Sequence, residues 1–339
     1  MSNSTTSRGG GTQTVSPTRE GSSAASGPTG RTPRPEWRQR LTRLDVRLSP
    51  YLYISPFFLL FLVVGMFPLG YTAWVSVHDW SLIGGKGEFV GLDNFREVLG
   101  NPYFTKQLVN TISIFLLSSV PQIVIAVVLA ALLDNQLRGR TFWRMSILLP
   151  FVVSPVAIAI IFGSLYGDRY GLINELLGHV GIDPIGWHTN RFASHVAVAT
   201  MVNWRWTGYN ALIFLAAMQA VPRELYESAA MDGAGRVRQF VSITLPMIRP
   251  TMIFVVITST IGGLQIFAEP RLFDETNARN GGSDRQFGTI TMLIYDFGWQ
   301  LRDLGRASAT AWLLFVVICA FGIANFLLIR RIGALGGDR

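Results

Sequence analysis

Glu227 and Asp232 are the carboxylates to test first for acid–base chemistry, since two neighbouring carboxyl groups can divide proton donation and abstraction between them. They stand five residues apart in RELYESAAMDGAGRVRQFVSITLPMIRP, residues 223–250, with no visible catalytic companion. His78, His179, His188 and His195 are scattered and do not form a close ligand cluster. The glycine clusters at 84–87 and 281–282 have no Lys-Ser/Thr pair after them, and no Gly-x-x-x-x-Gly-Lys-Ser/Thr run exists, so phosphate binding by this chain is not expected. The other concentration of polar groups is NWRWTGYN, residues 203–210, unusually polar and aromatic for the apolar run that holds it.

Residues 223–250 separate two strongly apolar runs and read as a short helix, a glycine break and a second helix. Gly233 supplies the turn, and the Gly-Ala-Gly group permits close backbone approach. The first helix offers Leu225, Ala229 and Ala230 as apolar contacts, with Glu227 and Asp232 as a polar rim. The second places Val237, Phe240, Val241 and Thr244 on one side, and Pro246 and Pro250 interrupt it. Arg236, Arg238 and Arg249 suit acidic groups or lipid headgroups. The residues themselves leave a protein partner and the bilayer surface equally open.

Composition sets the context. Of 339 residues, 49% are apolar and only 15% charged, against roughly 25% charged in soluble domains. Six apolar runs, at about 51–75, 107–133, 145–167, 192–219, 250–269 and 307–329, are long enough for spanning helices. They predict an all-α integral membrane protein with a transmembrane domain over 41–332. Residues 1–40, rich in Ser, Thr, Gly, Pro and Arg, form an expected disordered tail, and 333–339 a short C-terminal one. The arginine excess could suggest nucleic acid, but its distribution points to topology. Segments 1–47, 134–144, 223–249 and 330–339 carry 18 basic and 8 acidic residues. Segments 79–106, 168–191 and 269–306 carry 10 basic and 13 acidic. That bias puts both termini and residues 223–249 in the cytoplasm. Few acidic residues lie within the runs, which weighs against an ion-coupled carrier. Cys319, the single cysteine, reads as inert packing.

The spacing within 223–250 is more specific than its composition. Glu227-Ser228-Ala229, then Gly233, then Ile243, Leu245 and Pro246 match the cytoplasmic pattern of the permease subunits of bacterial binding-protein-dependent ABC importers. Ser228 replaces an alanine. FVGLDNF at 89–95 and GLINELLG at 171–178 are similar to external landmarks of the carbohydrate branch, which includes maltose, lactose and glycerol-phosphate permeases. The resemblance extends over about 48–332.

The resemblance implies a six-helix ABC importer permease with cytoplasmic coupling helices, sitting in the bacterial inner membrane and not itself an enzyme. Glu227, Ser228, Ala229, Ala230, Asp232, Gly233, Ile243, Leu245 and Pro246 would dock on an ATP-binding subunit and transmit its closure. ATP and Mg would be bound by those partners, with no cofactor in this chain. The implied assembly adds a second permease, two ATP-binding subunits, an extracytoplasmic sugar-binding protein and membrane lipid, and no nucleic acid. Polar and aromatic groups of later spans would line the sugar path: Asn203, Trp204, Trp206, Tyr209, Asn210, Gln265 and Phe267, with Asn110 and Gln122 as weaker candidates. A disaccharide or short oligosaccharide is the expected cargo. Glycerol phosphate is the alternative, with Arg205, Arg271, Arg279 and Arg285 as anion-binding candidates. An ion-coupled secondary carrier is the more distant one.

Overall fold

The computed structural model describes residues 36–135, 138–274 and 281–336. Nearly all of the 1–40 tail, Arg279 and the final residues of the 333–339 tail lie outside them. The chain divides into two compact units, Met1–Val64 and Gly65–Arg339. In the first, α1 (Glu36–Leu60) begins within the stretch expected as tail. From Tyr51 its side chains are apolar and exposed on every side, Tyr53, Phe57 and Leu59 among them. A helix that is hydrophobic all round suits lipid or another subunit.

The second unit is a helical bundle whose central pair is α4 (Pro102–Asp134) and α8 (Arg191–Gln219). Before them come α2 (Phe67–Ser76), a hairpin of β1 (His78–Ser81) and β2 (Gly85–Phe89), and α3 (Asp93–Gly100). Between them lie α5 (Arg140–Val152), α6 (Pro155–Leu165) and α7 (Leu172–His179). After α8 the chain forms α9 (Arg223–Met231), α10 (Arg236–Gln239), a π-helical turn over Phe240–Thr244, and α11 (Leu245–Met247). Then come α12 (Arg249–Gly263), α13 (Ala268–Leu272), α14 (Ile290–Tyr295) and α15 (Leu304–Gly336).

The expectation of six spans needs correction. Among the described residues four helical segments are long and apolar enough to cross a membrane: Leu48–Ser76, Pro102–Asp134, Arg249–Leu272 and Leu304–Leu327. The run at 145–167 is not one helix. It is α5 and α6, bent by 89°, and counting the pair as one span brings the number to five. Pro155 is the cause, because its ring bars the residue before it from the helical region, and Ser154 is extended at ψ 135°. At 192–219 the chain is helical for long enough, but α8 carries Arg191, His195, Asn203, Arg205 and Asn210. It lacks the apolar composition of a span and is instead packed against α4, α5 and α12.

Small residues let these helices close. At Gly208 a Cβ would lie 1.8 Å from the Ile147 carbonyl oxygen, so only glycine permits this approach of α8 to α5. One cluster of the core joins Ala126, Ala130, Phe214, Met218, Ile248 and Val255 of α4, α8 and the α11–α12 junction. At the opposite end of α4, buried polar groups hold the segment before α14. Asn110 Nδ2 donates to the carbonyls of Arg285 (2.9 Å) and Gly288 (3.0 Å), and its Oδ1 accepts from Arg191 Nε (3.0 Å). His195 contacts Ser113 Oγ and the Gln286 carbonyl, at 2.9 and 2.8 Å. Cys319 faces outward from α15 and does not pack inside the chain.

Candidate functional site

Residues 223–250 fold as a helical hairpin. α9 ends in a Schellman turn: Gly233 N–H donates to the Ala230 carbonyl (3.0 Å), and Ala234 N–H to that of Ala229 (2.9 Å). Gly233 is left-handed at φ +77°, the conformation that favours glycine. Close approach is not its role here, since a Cβ at Gly233 or Gly235 would meet nothing within 4 Å. Across the hairpin, Tyr226 Oη pairs with Thr244 Oγ1 at 2.8 Å, and Gln239 Nε2 donates to the Ala234 carbonyl at 2.9 Å. Tyr226, Phe240, Ile243 and Leu245 thereby pack on the α4–α8 core. Pro246 sits at the start of α11, separated from the π-helical turn by Leu245, and Pro250 in the first turn of α12, so the two prolines reshape the helical path rather than end it.

The hairpin's two sides therefore differ. Glu227, Ser228, Ala230, Asp232 and Pro246 are exposed, Ala229 is half-buried, and Met231, Val237 and Val241 add exposed apolar surface. The inner side is a firm seat on the core; the outer side is an unpartnered ridge of small, apolar and acidic groups.

A cavity of about 230 Å³ opens between α4, α8 and α12. Trp206, Tyr209 and Asn210 line it, together with Gln122, Thr258 and Ser259. Asn210 is buried, and its Nδ2 lies 3.4 Å from Ser259 Oγ. The rings are fixed by one another: Phe151 stacks on Tyr209 at 4.7 Å and meets the edge of Trp206 at 5.1 Å. No charged side chain lines this cavity. Such a surface offers amide and hydroxyl hydrogen bonds beside flat apolar faces.

The other path candidates lie elsewhere. Trp204 packs on Phe162, and Gln265 is exposed. Phe267 lines a separate pocket with Thr291 and Tyr295. Asn203 keeps a buried, unpartnered Oδ1 but is not among the cavity's residues. Asn110 is consumed by its structural hydrogen bonds. Sequence reading missed Thr258 and Ser259, whose signal was the hydroxyl run Thr258-Ser259-Thr260 just before Gly262-Gly263 in an apolar run.

The arginines considered for anion recognition are already compensated where described. Arg205 Nη1 lies 3.0 Å from Glu269 Oε1, whose carboxylate is buried. Arg285 and Arg271 lie 3.2 and 3.9 Å from the two oxygens of Asp296. Burial raises the Asp296 carboxyl above its ordinary range, and the two arginines oppose that rise. Among the described residues no three of His, Cys, Asp and Glu gather as metal ligands.

Residues 99–334 match the family described as "Binding-protein-dependent transport system inner membrane component". The arabinooligosaccharides transport system permease protein AraP of Halalkalibacterium halodurans is 33% identical, over 83% of this chain and 88% of its own. The lactose transport system permease protein LacF of Rhizobium radiobacter is also 33% identical, over 83% and 92%. The sn-glycerol-3-phosphate transport system permease protein UgpA of Pectobacterium atrosepticum is 31% identical, over 83% and 94%. A bacterial ABC transporter involved in the import of the acidic polysaccharide alginate has the same fold, with a TM-score of 0.70 at 23% identity over 86% of this chain and 99% of that one. Within an importer of this kind ATP and Mg are held by separate ATPase subunits. The chain thus belongs to the family of binding-protein-dependent transport system inner membrane components, as a multi-pass permease subunit of a bacterial ABC importer related to sugar transport permeases.

Proposed function

We propose that this subunit forms half of the path for a neutral disaccharide or short oligosaccharide, and that its 223–249 hairpin couples ATP-driven closure of two ATP-binding subunits to that path. The observation that carries the cargo assignment is the uncharged cavity of Trp206, Tyr209, Asn210 and Gln122. At about 230 Å³ it falls below the roughly 300–1,000 Å³ of complete ligand pockets, as suits one wall of a path shared with a second permease. Lactose and arabinooligosaccharides in the names of two relatives agree with a neutral sugar. A glycerol-phosphate relative exists, but a phosphate ester would need a free cation on the path: no charged side chain lines the cavity, and Arg205, Arg271 and Arg285 each face a carboxylate.

For coupling, the support is the hairpin's two-sided construction together with the Glu227–Pro246 pattern. With four spans the hairpin and both termini fall on one side of the membrane, and their excess of basic residues favours the cytoplasm, with 41–332 as the transmembrane domain. ATP and solute must each prefer one global state for closure to move anything. Uptake into vesicles holding the whole complex, with a panel of disaccharides and glycerol phosphate, tests the cargo. Asn210→Ala should weaken uptake of a transported disaccharide at normal assembly. Glycerol phosphate as the sole substrate, or unchanged sugar dependence in Asn210→Ala, would remove the cargo reading.

A further inference from the structure

A cavity of about 1,010 Å³ lies where the ends of α4 and α8 meet the starts of α5 and α9. Arg140, Arg144, Arg223 and Arg236 line it, against one carboxylate, Asp134. Among the described residues none of these four arginines is in an ion pair. The Nε of Arg144 is buried without a hydrogen-bond partner. Four guanidiniums against one carboxylate leave an excess of positive charge around one space, which a bound anion would offset.

We propose that this cavity binds the phosphate of an acidic phospholipid headgroup. Two further features point to phosphate. α5 and α9 both start without a side-chain cap and with arginine as first residue, and the first turn of α5, unlike that of α9 with its Glu224, holds no acidic side chain. Cations at a helix N-terminus oppose the helix dipole, so an anion there satisfies the free N–H groups and the guanidiniums together. A third feature points to lipid rather than a soluble anion or an acidic peptide. Beside Arg140 and Arg144, Phe142, Trp143 and Met145 stand exposed on α5, and Trp143 meets Phe142 edge-on at 5.7 Å. Basic groups next to exposed aromatic rings, at the end of a membrane helix bundle, suit a headgroup above and acyl chains beside it.

The test is native mass spectrometry of the intact transporter complex in detergent, titrated with phosphatidylglycerol or phosphatidylcholine. The wild type should retain phosphatidylglycerol selectively. Arg140→Gln with Arg144→Gln should weaken it roughly 30-fold, taking about fivefold for each basic residue near the headgroup. Arg144→Gln alone should weaken it about fivefold and covers the case where the double variant fails to assemble. Arg140→Lys with Arg144→Lys should keep most of the preference, and Arg96→Gln, at an exposed position on α3, should change nothing. Three results overturn the proposal: unchanged affinity in the glutamine variants, displacement of the lipid by excess inorganic phosphate, or loss of an ATP-binding subunit with lipid retention intact.

Discussion

Gly233→Val isolates the contribution of the turn between α9 and α10. The backbone there is at φ +77°, and an added Cβ would meet nothing within 4 Å, so the Cβ itself finds open space. The penalty is conformational: about 1–2 kcal/mol for an L residue in the left-handed region. If valine relaxes out of that region, the bonds from Gly233 to Ala230 and from Ala234 to Ala229 are lost, at about 1 kcal/mol each. Either route disfavours the native hairpin by about 2 kcal/mol, roughly 30-fold in its population. Uptake and solute-stimulated ATPase activity of the reconstituted complex should fall together while the subunits still assemble. Gly233→Asn, which tolerates the left-handed region, should retain most activity. Valine at wild-type uptake, or asparagine as damaging as valine, would refute the reasoning.

Other outcomes follow from buried groups. Arg205→Met leaves the Glu269 carboxylate uncompensated and should destabilise the protein by about 3 kcal/mol, whereas Arg205→Met with Glu269→Leu should recover most of the loss in thermal melts. Gly208→Ala drives a methyl into the Ile147 carbonyl and should cost about 1–3 kcal/mol, with sugar affinity falling because Tyr209 and Asn210 are displaced. Asp296 has its folded-state pKa raised, so its ionised form disfavours folding. The melting temperature of wild type minus that of Asp296→Asn should be greatest below about pH 4 and fall as pH rises through the raised pKa.

The hairpin was legible because its signals are local. Gly233 marks the left-handed turn. The faces were not legible: of Val237, Phe240, Val241 and Thr244, expected on one side, only Phe240 and Thr244 turn inward, beside Tyr226, Ile243 and Leu245, while Val237 and Val241 are exposed. The span count was not legible, because an apolar run does not show its bend. Pro150 and Pro155 were visible in the run, but the break itself is two extended residues, Val153 and Ser154, between α5 and α6. α8 misled in the opposite way: its His195, Arg205 and Asn210 find partners inside the bundle. The roles of Asn110 and His195 depend on backbone carbonyls of residues 285–288, far along the sequence, which no local pattern announces. Only part of the expected path, Trp206, Tyr209 and Asn210, shares one cavity with Gln122, because Gln265 and Phe267 follow the Gly262-Gly263 break onto other surfaces.

The coupling claim is tested most directly by disulfide crosslinking in the assembled complex, with Cys319 first replaced by serine. Ala230→Cys and Val237→Cys lie on the exposed side of the hairpin. Each should crosslink to a cysteine placed in the ATP-binding subunit, with a yield that changes when nucleotide is added. Labelling of the same positions from the external side, or no crosslink in a complex that still transports, would contradict the account.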